Sequence, residues 1–209
     1  MAEGNFQELL ARAENKDIII IYEGKFASWH WHPAGAIIRR GNELFLNGET
    51  LLYNSNKDFF SFKYHHNGVI IQRPDGLFLN GTELLCAGTF YGWSYHPKGA
   101  VVRIGDKLLI NRSASDLLYE GKFSGWGFHS NDLLTQWAQT FYLNGKMIYE
   151  GKYDSWICHP EGAVIRRGDE FSLNGKSLLC EGRLCQWNYH PNGMGVRFDD
   201  ELHLIVHKS

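Results

Sequence analysis

Short apolar runs recur along the whole chain, each fenced by a turn. Between Trp156 and Gly182 the sequence reads W-I-C-H-P-E-G-A-V-I-R-R-G-D-E-F-S-L-N-G-K-S-L-L-C-E-G. The first run ends at His159. Pro160-Glu161-Gly162 then supplies a turn, proline fixing φ and glycine accepting a positive φ. Ala163 to Arg167 is apolar and β-branched and predicts a second strand. Gly168-Asp169 turns the chain before a third strand, Phe171 to Leu173. Asn174-Gly175 is the strongest short hairpin signal, because a type I′ turn needs positive φ at both central residues. Ser177 to Cys180 is a fourth strand, and Glu181-Gly182 leads onward.

This unit occurs six times. An aromatic residue recurs at Trp29, Phe62, Trp93, Trp126, Trp156 and Trp187, in steps of 33, 31, 33, 30 and 31 residues. Three positions after each stands a histidine: His32, His65, His96, His129, His159 and His190. From that histidine to the end of the third strand is 15 positions in every unit, ending on Asn47, Asn80, Asn111, Asn144, Asn174 and Ile205. Tightly turned antiparallel strands explain the constancy, since a one-residue slip would invert every side chain. The second strands are apolar on consecutive positions, as in Ala36-Ile37-Ile38 and Ala100-Val101-Val102. A sheet with one wet face would alternate, so both faces of each small sheet are expected to be covered.

The two ends of the chain complement each other. Asp17 to Gly24 matches a fourth strand, as in Asp116 to Gly121, whereas the C-terminus stops after a third strand near Glu201 to Val206. Pairing them closes a ring and removes two sheet edges. The chain therefore resembles the β-propeller class, whose blades are four-stranded sheets around a central channel. The expectation is an all-β, six-bladed β-propeller of antiparallel blades spanning 17–209, its closing blade combining 17–23 with 183–207. The units are shorter than WD40 or kelch repeats and match neither motif. A β-solenoid is the rival fold, but it leaves the complementary ends unexplained and calls for caps. Residues 1–16 form a leader, with a short helix expected at 5–15 from the spacing of Phe6, Leu9, Leu10 and Ala13.

Composition narrows function. A net charge of −2 gives no support for nucleic-acid binding. No apolar stretch is long enough to span a bilayer, and the leader lacks the apolar core of a signal peptide. Cys86, Cys158 and Cys180 occupy apolar positions of the repeat, which predicts buried free thiols and a cytoplasmic setting.

The repeated histidines directly precede turns and are read as blade-building residues, so no metal and no cofactor is expected. Arginine recurs at the end of the second strand (Arg39, Arg103, Arg166, Arg197) and glutamate after the fourth (Glu23, Glu120, Glu150, Glu181). Arg, Glu and Trp in each unit is similar in composition to six-bladed fucose-binding lectins, which would imply sugar binding by these residues. The plainer expectation is an Arg–Glu pair bridging blades. No catalytic motif is present and the loops are short, which argues against an enzyme. An enzyme would instead show ionisable groups converging on the channel. The primary expectation is a scaffold for a protein partner, with a multivalent lectin as the alternative. The contact rim would carry the loops joining blades and those between second and third strands. Its candidate contacts are Trp137, Arg40, Arg73, Arg167, Asn56, Lys57 and Phe59, with Trp and Arg ranked first as typical interface anchors.

Overall fold

The computed structural model describes residues 17–55, 58–90, 92–129, 132–159, 161–181, 186–190, 193–198 and 200–206. They form six separate four-stranded antiparallel sheets. The first blade runs Ser28–His32, Gly35–Arg40, Glu43–Leu46 and Thr50–Asn54, each strand pairing with the next. The next four blades repeat this order from inner strands at Ser61–His65, Trp93–His96, Gly125–His129 and Ser155–His159. In the sixth, Gln186–His190, Gly193–Phe198 and Glu201–Val206 are completed by Asp17–Glu23, from the other end of the chain. Each inner strand contacts the next, and the sixth contacts the first. The protein is a six-bladed β-propeller closed by its N-terminal strand. The helix expected at 5–15 lies outside the described residues. Among the described residues there is no helix long and apolar enough to cross a membrane.

The apolar core is divided among the gaps between blades. Ile37 and Leu44 of the first blade pack with Phe59, Phe62, Val69 and Ile71, which belong to the second blade and its linker. Ile70, Leu77 and Cys86 pack in the same way with Phe90, Trp93, Ala100 and Val102 on the other side. The series continues around the ring, and Leu202 of the sixth blade closes it against Phe26, Ala36 and Ile38. Ile37 and Ile38 are adjacent, point to opposite faces and are both fully buried. The consecutive apolar residues of the second strands thus feed two neighbouring cores at once.

The repeated His and Asn tie two turns together at one end of the first, second, third and fifth blades. Nδ1 of His32, His65, His96 and His159 accepts the backbone N–H two residues on, at 3.0–3.1 Å. Burial holds His65 and His96 below the ordinary imidazole value, which keeps them as neutral acceptors. Asn47 adopts φ 52°, accepts from Ala36 N–H at 2.9 Å and donates to Ala34 C=O at 3.0 Å. Asn80, Asn111 and Asn174 make the same pair of bonds. The glycine of the His turn is demanded twice over. Gly99 has φ +133°, and a Cβ there would lie 2.2 Å from Asn111 Oδ1.

Neighbouring blades are also matched in size at the outer strands. A Cβ on Gly48, Gly81 or Gly175 would lie 2.1–2.3 Å from the ring of Tyr22, Tyr53 or Tyr149 of the preceding blade. Where the third blade carries Arg112 in place of that glycine, the preceding blade carries Cys86 in place of the tyrosine. Arg112 keeps φ 62° and donates to Ala87 C=O at 3.1 Å, using the space a tyrosine would fill. Cys86 is buried and free, as its apolar position implied.

Candidate functional site

The residue directly after each repeated aromatic faces the central channel. His30, Lys63, Ser94, Gly127, Ile157 and Asn188 come from six different blades and all line one cavity of about 430 Å³. The remaining wall is mostly aromatic: Trp31, Trp93, Tyr95, Trp126, Phe128 and Trp156, with Cys158 where other blades carry a ring. Gly127 and Cys158 are adjacent, and a Cβ on Gly127 would lie 2.7 Å from that of Cys158. These two small residues open the space that larger ones would close. Its size and its mix of aromatic wall and few polar groups suit a small ligand.

The flanking positions of the inner strand repeat, but this one does not. It offers an imidazole, an ammonium, a hydroxyl, a bare backbone, an aliphatic chain and an amide. Packing between equivalent blades rewards equivalence, and at the one ring of positions facing the cavity that equivalence is lost.

The cavity's electrostatics are unusual. Among the described residues no Asp or Glu lines it. Lys63 Nζ lies 5.5 Å from the Trp93 ring centroid. Lys63 is half-buried and lines the cavity. Desolvation lowers its pKa, partly offset by the Cys158 thiol on the blade opposite. His30 is pushed down to about 3, first by desolvation and then by the charge of Lys63. His30 Nδ1 donates to Trp31 C=O at 3.3 Å, because a carbonyl can only accept, and the neutral ring keeps Nε2 as a hydrogen-bond acceptor. Burial pushes the Cys158 thiol up to about 12 and also raises the Tyr95 phenol.

His30 carries a pH signature. Its folded value lies below the unfolded 6.5, so its contribution to stability is present above pH 6.5 and is lost as pH falls towards 3. Urea melts from pH 7 to pH 4 should show a steeper loss in the parent than in His30→Gln. Parallel slopes would mean that His30 protonates freely in the folded ring.

The repeated arginines lie elsewhere. Arg39 donates through Nε to Gly41 C=O at 2.8 Å, and its guanidinium sits 4.1 Å over Phe59, in the linker to the next blade. Arg103 does the same with Gly105 C=O and Phe123, at 3.0 Å and 4.3 Å, and Arg197 sits 4.0 Å over Phe26. Arg166 bonds Gly168 C=O at 2.8 Å and reaches towards Phe171 of its own blade. At Arg39 and Arg103 a cation–π latch stands where an Arg–Glu bridge was expected. Among the described residues, Arg39, Arg103 and Arg166 have no ion pair with the repeated glutamates. Glu120 pairs with Lys107 at 3.1 Å, Glu23 and Glu150 are exposed, and Glu181 stands at the end of its outer strand. Arg103→Ala should lower stability by about 1–2 kcal/mol, the range of a partly desolvated cation–π contact, while leaving the channel unaltered. An unchanged urea midpoint would show that the latch contributes nothing.

The residues expected on the rim are not one cluster. Arg40, Arg73, Trp137 and Arg167 stand at the ends of the second strands of four blades. Arg40 and Arg73 lie over Phe45 and Phe78 of their own blades, at 3.8 Å and 3.7 Å. Trp137 is 48% exposed. It adjoins a cleft of about 520 Å³ lined by Ala138, Gln139, Lys152, Tyr153, Asp154, Arg167 and Gly168. Phe59, expected as a contact, is 2% exposed and packs in the core under Arg39. Asn56 and Lys57 lie outside the described residues. Trp93 is buried, donating from its indole to Gln72 Oε1 at 2.9 Å, and Trp29, Trp126, Trp156 and Trp187 are half-buried. No family model matches the chain, and no curated protein matches it in sequence.

Two columns of the repeat escaped the sequence reading. One is the channel position itself, which does not repeat. The other is the aromatic three residues before five of the six repeated aromatics: Phe26, Phe59, Phe90, Phe123 and Tyr153, with Leu184 before Trp187. That column is visible in the sequence, and it supplies the rings on which Arg39, Arg103 and Arg197 rest.

Proposed function

We infer that the protein is a ligand-binding propeller whose site is the central channel. It would take a small, flat and largely apolar molecule with one polar group. The observation that carries this reading is the lack of repetition at the six channel positions, set in aromatic walls that do repeat. A thermal-shift screen of planar aromatic compounds tests it, with Ser94→Phe as the control, since that side chain would fill the cavity. Compounds should raise the melting temperature of the parent and not of Ser94→Phe, following the usual dependence on ligand concentration over Kd. Equal shifts in both would move the site off the channel.

The rigid ring also fits a scaffold for a protein partner. The exposed Trp137 beside the cleft between the fourth and fifth blades favours that second reading. Its test is Trp137→Ser in a pull-down, where loss of a partner held by the parent supports it. The sugar-binding reading is the weaker one, because its arginines are spent on neighbouring rings and its tryptophans are buried or half-buried.

A further inference from the structure

Resting on the channel as a ligand site, we propose that Lys63 captures a carbonyl compound: its Nζ condenses with an aldehyde or ketone on a flat apolar ligand and holds it as an imine. Three features point there. The ammonium is placed inside a cavity that no Asp or Glu lines, and no ion pair to it forms among the described residues. Among the described residues, the titratable groups that line the cavity with it are His30, Tyr95 and Cys158, none of which is an anion at neutral pH, while Asp132 acts on Cys158 from outside the lining. Its surroundings therefore favour the neutral amine, which is the nucleophile in imine formation. The aromatic walls add the third feature. They offer a flat ligand faces to stack on.

The step balances without any redox partner. The Nζ lone pair attacks the carbonyl carbon, the nitrogen loses a proton and the oxygen gains one, giving a carbinolamine. The nitrogen's second proton then passes to the hydroxyl oxygen, the C–O bond breaks, water leaves, and the nitrogen lone pair closes the C=N bond. The Ser94 hydroxyl, which lines the same cavity, can relay these protons from nitrogen to oxygen. His30 stays neutral at pH 7 and serves as a hydrogen-bond acceptor rather than as the base.

The test uses 2-naphthaldehyde with borohydride, which reduces an imine to a stable secondary amine that peptide mass spectrometry locates. 2-Naphthalenemethanol has the same shape without a carbonyl and reports channel binding alone, and 2-naphthoate reports anion binding. At pH 7 Lys63 should be modified at least about tenfold faster than the exposed Lys107. The rate should level off well below the ordinary lysine value of 10.5. Lys63→Met should lose the channel adduct and melt no lower than the parent, because it removes a buried unpaired cation. If the alcohol binds but Lys63 reacts no faster than Lys107, the imine is wrong while the channel site stands. If naphthoate binds far better than the alcohol and no adduct forms, Lys63 is an anion hook and the proposal falls. If neither alcohol nor aldehyde enters the channel, the ligand site fails and the imine with it.

Discussion

Removal of residues 1–23 is expected to abolish the monomeric fold, whereas removal of residues 1–16 keeps the closing strand and serves as the control. The strand Asp17–Glu23 pairs along the length of Glu201–Val206, from Asp17 opposite Val206 to Glu23 opposite Glu201. It also brings Ile21 and Tyr22 against the core of Phe26, Ala36, Ile38 and Leu202. Covering each such side chain is worth about 1.5–3 kcal/mol. The lost ladder adds to this, and whole domains are stable by only about 5–15 kcal/mol. Without the strand, Glu201–Val206 becomes an open sheet edge, which invites pairing with other chains. Size-exclusion chromatography and urea melts should show the longer truncation as aggregated or unfolded, and a synthetic peptide of residues 17–24 should restore a cooperative melt. A longer truncation that melts like the control would mean that the ring is held by the gaps between blades alone.

The second large effect is expected at Gly99. Gly99→Ala should cost about 2–6 kcal/mol, enough to lower the melting temperature by about 4–24 °C or prevent folding. Two penalties combine. A φ of +133° is strained for any L side chain, at about 1–3 kcal/mol. The new methyl would also collide with Asn111, whose Oδ1 accepts from Ala100 N–H at 2.9 Å and whose Nδ2 donates to Lys98 C=O at 2.8 Å. Leaving these backbone groups without partners costs about 1–3 kcal/mol more. Gly105→Ala is the control. Gly105 has φ +60° with nothing within 4 Å of a Cβ, so only about 1–2 kcal/mol of backbone strain applies. Equal losses at the two glycines would remove the Asn111 contact from the account.

The architecture was legible because packing between equivalent blades forces the same residue types back every turn of the repeat. His32 and Asn47 are recognisable as turn residues from sequence, since each stands at a fixed offset from a Pro or Gly signal. Ring closure was legible for a related reason: Asp17 to Gly24 is a fourth strand without its other three. The site was hidden by the same logic. A residue that faces a channel has no equivalent neighbour to fit, so His30, Lys63 and Gly127 share no type, and a search for period passes over them. Which side chains face the channel follows only once the strands are arranged about an axis. Phe59 was misplaced for a local reason. Its polar approach, Asn54 to Asp58, reads as an exposed loop, yet it belongs to the aromatic column that holds Arg39 and seals the first gap. The arginines were assigned to glutamates on charge alone, although a delocalised guanidinium packs as well on a ring face.

The most direct test of the channel as the binding site is a methyl and indole NMR titration with 2-naphthalenemethanol. Ile157 is the isoleucine that lines the cavity, and Trp137 stands exposed beside the rim cleft. The account predicts that the Ile157 methyl and the Trp93 and Trp126 indole signals shift together with one Kd, while the exposed Ile20 methyl and the Trp137 indole stay in place. Shifts at Trp137 with Ile157 unmoved would contradict it and put the binding surface on the rim.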